Sequence, residues 1–203
     1  MRSHEWVAAG TALCREALVD LDGPSLLPGW TRKHVAGHLS LNAEAIGNLV
    51  HWAKTGEERR MYASPEQRSA DIEAASVRPA DELLAWFEES ARMLADAMAE
   101  LTDEQWRRRL LNAQGRDIPA TDTPWMRSRE VMIHAVDLGT GVTFADLPAD
   151  FLGELCVDIR AKRGDVPEVT GPLPEVAAYL AGRPYADVLG ADERPAEPLP
   201  PWL

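Results

Sequence analysis

Cysteine is scarce: the chain has two in 203 residues, Cys14 and Cys156, which excludes a disulfide framework. Both read as small core residues, the usual place for a lone thiol. Long apolar runs are also missing. No stretch approaches the roughly 18 apolar residues of a membrane span, so no membrane partner is expected. Residues 1–20 carry His4, Glu5, Arg15 and Glu16 among the apolar positions, unlike a signal peptide, and a soluble, cytoplasmic protein is expected. Basic side chains are in deficit, 21 against 33 acidic, for a net charge of −12. Such a field repels a phosphate backbone, so nucleic acid is not expected as a partner. The clusters Arg59-Arg60 and Arg107-Arg108-Arg109 read as solvated faces. Phosphate-cradling Gly-rich loops, nucleophile elbows and Cys-based metal motifs are absent as well.

What is present is helical periodicity. The length suits one domain, or one with a short appendage, and a core that buries roughly 70% of the unfolded surface. Apolar spacing predicts helices from Ser3 to about Asp20, from Thr31 to about Ala53 with Gly56 as terminator, and from Ser64-Pro65 to about Ser76. A longer one runs from Pro79 to about Leu101, and Thr102 with Gln105 caps a further turn or two. Residues 109–122 read as an irregular crossover. Helix resumes at Thr123-Pro124 and is expected to reach about Thr140, with Gly141 ending it. Another is predicted from Pro148 to about Lys162. Residues 165–203 hold eight of the fifteen prolines and one short helix near 175–182. The pattern predicts an all-α fold: a four-helix bundle over residues 1–163 and a Pro-rich appendage over 164–203.

Of the five histidines, His134 shares a helical stripe with Arg127, Glu130 and Asp137, beside Val131 and Leu138, which face a core. A carboxylate and an imidazole in that setting need compensation. A divalent cation supplies it, since both are zinc ligands and i, i+4 spacing lets them share one ion. An exposed i, i+4 pair is the alternative reading of the same spacing. The helix from Thr31 carries a second stripe, His34, His38 and Asn42, flanked by Val35, Leu39, Ile46 and Leu49. His38 lies deeper in the apolar run than His34 and is the better third ligand. Three protein ligands leave an open position, as in catalytic sites. Asp137, Asn42 or His34 can then orient a ligand imidazole from behind. Trp30 and Trp125 each immediately precede a ligand-bearing helix.

Two segments carry a family resemblance. Pro28-Gly29-Trp30-Thr31-Arg32-Lys33-His34-Val35-Ala36-Gly37-His38-Leu39 resembles the opening of the second helix in the mycothiol-dependent maleylpyruvate isomerase family. Arg127-Ser128-Arg129-Glu130-Val131-Met132-Ile133-His134-Ala135-Val136-Asp137-Leu138-Gly139 resembles a second motif of the same family. Met61-Tyr62, Arg68, Asp71-Ile72-Glu73 and Arg78-Pro79-Ala80 are similar more loosely. The resemblance covers roughly residues 3–163 and implies a DinB-like bundle. It also implies a metal, usually zinc, on His38, Glu130 and His134, and mycothiol as thiol cofactor or co-substrate. Relative to the isomerases, which carry an α/β domain after the bundle, the C-terminal region reads as shortened. Ala178-Tyr179-Leu180-Ala181-Gly182-Arg183 resembles a late family motif and implies Arg183 as an active-site arginine.

The implied chemistry is thiol addition to a small electrophile, giving cis–trans isomerisation or S-transfer, with Arg127, Arg129 or Arg183 holding a substrate carboxylate. A monomer or homodimer is expected. A hydrolase using metal-bound water and a non-catalytic metal-binding bundle are the rival readings.

Overall fold

Helix starts fall on the capping chemistry of the sequence. In the computed structural model, which describes residues 2–202, α1 (Arg2–Ala17) is followed by α2 (Arg32–Thr55), which begins directly after Thr31 and ends on Gly56 in the left-handed region. Ser64 accepts from the Gln67 N–H and Pro65 opens α3 (Pro65–Ser76). Pro79 precedes α4 (Ala80–Ala99), and a Thr102–Gln105 capping box starts α5 (Asp103–Trp106). Pro124 lies in the first turn of α6 (Thr123–Asp137), where its missing N–H has no helical partner to lose.

The chain divides into two compact units. In the first, Met1–Gly141, α1 lies along α6, and α2 packs against α4, α3 and α6. An Arg15–Glu88 ion pair of 2.5 Å ties α1 to α4. One core cluster gathers Ile46, Leu49, Val50, Leu94, Met98 and Leu110. Two glycines set the helix spacing. A Cβ on Gly10 would stand 2.5 Å from Val131 Cγ2, and one on Gly37 would overlap the Ala75 methyl. The α1–α6 and α2–α3 approaches therefore require hydrogen at these positions. Gly37 matters for chemistry because its neighbour is His38.

In the second unit, Val142–Leu203, α7 (Ala149–Arg163) packs on α8 (Leu173–Leu180). Phe151, Leu155, Ile159, Tyr179 and Leu180 are buried there. Arg163 donates to the Leu180 carbonyl at 3.1 Å, and the Tyr185 hydroxyl to that of Ala196.

The fold is the expected all-α bundle, with local differences. Residues 109–122 contain a hairpin, β1 (Arg109–Leu111) antiparallel to β2 (Asp117–Pro119). Its turn is closed by Asn112 Oδ1, which accepts from the N–H groups of Gln114 and Arg116, with Gly115 at φ +71°. Strands of three residues are too short to show alternation. A second short pair joins β3 (Val169–Thr170) to β4 (Leu189–Gly190). Helix α1 ends at Ala17, before Asp20 turns to φ 46°, and α6 ends at Asp137 because Gly139, not Gly141, takes the first left-handed turn. Helix α7, expected in the bundle, belongs to the second unit, where its apolar face covers α8. Among the described residues no helix is long and apolar enough to cross a membrane.

Candidate metal centre

His38 stands in the second turn of α2, and Glu130 and His134 lie one turn apart on α6. Nε2 of His38 is 2.9 Å from Oε2 of Glu130, and Nε2 of His134 is 3.4 Å from the same oxygen. One carboxylate oxygen thus sits between imidazoles from two helices. The rings meet edge to face, with centroids 4.8 Å apart. The three donor atoms lie within 4.8 Å of one another, and among the described residues no other group of three His, Cys, Asp or Glu side chains converges in this way. His38 and His134 are buried, while the Glu130 side chain keeps 17% of its exposure. The cluster is open at the carboxylate and closed behind the rings.

Each ring is held from its far side. Asp137 Oδ2 is 2.8 Å from Nδ1 of His134, and Asp137 is fully buried. A carboxylate there aims Nε2 forward and raises its basicity, as carboxylate–histidine–metal arrangements do. Nδ1 of His38 accepts from the Arg68 guanidinium at 3.3 Å. Trp30 packs its ring 5.8 Å from that of His38.

Electrostatics separate the two histidines. Burial pulls His38 down to about 4 against the pull of Glu130, so its ring is neutral. Burial also opposes the charged form of His134, but Asp137 and Glu130 outweigh it and hold the group up at about 9. Glu130 stays well below the usual carboxylate range, because hydrogen bonds from His134 and His38 overcome its desolvation. At neutral pH His134 carries a proton and Glu130 is an anion, so a divalent cation that took Nε2 of His134 would replace that proton beside the carboxylate. Two imidazole nitrogens and a carboxylate oxygen are also the donor set of catalytic zinc sites, with bonds of about 2 Å. The residues fit a divalent metal.

The other expected residues have mixed placements. Asn42 Oδ1 accepts from Arg127 Nη1 at 2.8 Å. Arg127 is completely buried, its Nη1 also donating to the Leu39 carbonyl at 2.7 Å and its Nη2 having no protein partner. It bolts α6 to α2 out of contact with solvent. Arg129 is half-buried over the Trp125 ring at 5.9 Å. His34 closes the first turn of α2: its Nδ1 accepts from the Thr31 N–H at 3.1 Å, and its ring stacks on Trp30. The same indole stands against His38, and Nε2 of His34 is 3.5 Å from Glu73 Oε2. In the second unit, Arg183 is buried with Nη1 on the Ala181 carbonyl at 2.9 Å. Cys14 donates to the Val131 carbonyl, and burial raises its thiol to about 12, as a core residue's should be. Arg68 is the contact that helix periodicity did not single out. It reaches His38 from α3, and no spacing along α2 or α6 points to it.

Comparison with known proteins bears on this geometry. The family profile described as Mycothiol maleylpyruvate isomerase N-terminal domain matches residues 3–139. No curated protein matches the chain. Two solved structures do: the mycothiol-dependent maleylpyruvate isomerase, at 35% identity and TM-score 0.92, and a mutant of it at 35% and 0.91. Each match covers 99% of this chain and 96% of the other. Against that isomerase the C-terminal region is therefore not shortened, and the forty or so residues after α7 have counterparts along nearly its whole length. A bundle with two imidazoles and a carboxylate at its centre, matched over α1 to α6 by the profile and over almost every residue by the solved fold, has one assignment: the chain belongs to the mycothiol-dependent maleylpyruvate isomerase family.

Proposed function

We propose that the protein is a metal-dependent enzyme that uses mycothiol to isomerise a small electrophilic substrate about a carbon–carbon double bond, in the cytoplasm. The observation that carries this reading is the single Glu130 oxygen held between Nε2 of His38 and Nε2 of His134. A zinc-type ion held by these three side chains would supply a soft Lewis-acidic position at which a thiol loses its proton. The chain's own residues do the rest. Asp137 keeps His134 in the tautomer that presents Nε2. Trp30 covers the flank of His38 and limits water there. Arg127, locked to Leu39 and Asn42, holds α6 at the distance from α2 that the three donors need.

Thiolate sulfur adds to an electrophilic alkene carbon, the former double bond rotates as a single bond, and elimination returns the thiol. Thiol is then a cofactor, consumed only if elimination fails, which would make the reaction S-transfer. The isomerase matched at 35% identity favours the first course. Arg129 remains a proposed contact for substrate charge.

The deciding experiment is elemental analysis of wild type, His38→Ala and Glu130→Ala, followed by turnover of an unsaturated dicarboxylate with and without mycothiol. One equivalent of metal in wild type, its loss in both variants, and thiol-dependent isomerisation are expected. Turnover without thiol would replace this reading with one in which metal-bound water, not a thiol, attacks the substrate. Absence of both turnover and thiol binding in loaded protein would leave a binding bundle.

A further inference from the structure

The Arg68 guanidinium is a half-buried cation with no anion. It comes from α3, donates to His38 Nδ1 at 3.3 Å and lies 5.6 Å from the centre of the Tyr62 ring. Among the described residues no carboxylate stands within ion-pair distance of it, although acidic side chains outnumber basic ones 33 to 21. Arg32, another half-buried arginine, is by contrast paired with Asp20. Tyr62 beside Arg68 is half-buried and also feels the Glu130 charge. A cation is thus kept beside a ring whose other nitrogen faces the candidate metal position, where it opposes a second positive charge.

The hydrogen-bond inventory makes the arrangement conditional. An arginine only donates, so a contact to Nδ1 places the His38 ring proton on Nε2, facing Glu130. Ligation through Nε2 requires that proton on Nδ1 instead, and a donor-only group then has nothing to bond there. Arg68 loses its hydrogen bond to the His38 ring whenever His38 ligates and is left with Tyr62 beside it.

We infer that Arg68 is a further carboxylate-binding residue of this site, beside the proposed Arg129, and selects an anionic electrophile, its guanidinium leaving His38 for a substrate carboxylate when the ring is a ligand. This rests on the proposed metal function and adds a specificity-determining residue to it. A planar guanidinium suits a carboxylate through paired N–H donors. Tyr62 offers a flat face to keep the fork in place once it has left the ring. The negative overall charge gives such a substrate no long-range attraction, so a local cation must supply the contact.

Calorimetric titration of succinate, with uncharged succinamide as control, tests this on wild type, Arg68→Gln and Arg68→Lys, each with and without one equivalent of zinc and with zinc content measured separately. Zinc-loaded wild type should bind succinate and not succinamide. Arg68→Gln should keep its zinc and weaken succinate binding by roughly tenfold or more, with Arg68→Lys in between. Equal succinate affinity in wild type and Arg68→Gln would overturn the assignment, as would a zinc-loaded wild type that binds no succinate. Should wild type hold no zinc, the metal reading fails on its own measurement. The zinc-free titration then decides: Arg68-dependent binding keeps an anion site without a metal, and no binding removes it.

Discussion

Asp137 Oδ2 stands 2.8 Å from Nδ1 of His134, both side chains buried on the same face of α6 one turn apart. The aspartate fixes the ring's direction and its charge together. Replacing it with asparagine keeps the shape and removes the negative charge. Asp137→Asn should still fold, and its metal affinity should fall by about 10- to 100-fold, read by competition with a chromogenic chelator. Unchanged affinity would show that ring orientation comes from packing alone.

Metal uptake should release protons. His134 is held up at about 9 in the metal-free protein, so its ring is charged at neutral pH and must lose a proton to ligate through Nε2. Calorimetry at pH 7.5 in buffers of different ionisation enthalpy should find about one proton released per metal. Affinity should climb with pH and level off above about 9. Release near zero would mean the ring is already neutral.

The metal-free protein should have a stability maximum on the pH axis. His134, raised from 6.5 to about 9, stabilises fully below its unfolded value and loses that contribution as pH rises through 9. His38, lowered to about 4, contributes above 6.5 and loses its share as pH falls through 4. Glu130, lowered well below its usual range, adds to the acid-side loss. Melting temperatures between pH 4 and 10 should therefore peak near pH 6.5 without metal. Zinc should flatten the alkaline slope, because ligation removes the proton from His134. A metal-free curve that keeps rising to pH 9 would contradict the charge state assigned to that ring.

Arg127 is a structural strut. Arg127→Ala leaves the Leu39 carbonyl and Asn42 without their donor and opens a cavity between α2 and α6. A loss of about 2–4 kcal/mol is expected in urea unfolding. Near-wild-type stability would free Arg127 for a substrate role.

Gly37→Ala should destabilise by about 1–3 kcal/mol, since the added methyl overlaps that of Ala75 on α3. Gly37→Ala with Ala75→Gly should recover most of the loss. A double variant no better than the single one would place the strain elsewhere.

Much of this was legible in the sequence because it is local. Thr31, Ser64-Pro65, Thr102 with Gln105, and Thr123-Pro124 mark helix starts by chemistry that acts within four residues, and all four helices begin there. The pairing of Glu130 with His134, and of His134 with Asp137, follows from helical spacing along one segment. His38 stood out over His34 because it lies deeper in the apolar run of Val35, Leu39, Ile46 and Leu49. The hairpin at 109–119 was not legible, since its strands are held by a turn and cross-chain bonds rather than by a periodic face.

What the sequence by itself determined was the set of helices, their polar stripes and the donors within each stripe, because these depend on neighbours a few positions apart. Only the tertiary structure decided which donors meet. It turned His34 onto Thr31, sealed Arg127 between α6 and α2 and brought Arg68 from α3 to His38. Those outcomes depend on packing between segments far apart in the chain, down to one missing methyl at Gly37, and no periodicity along a single helix records them.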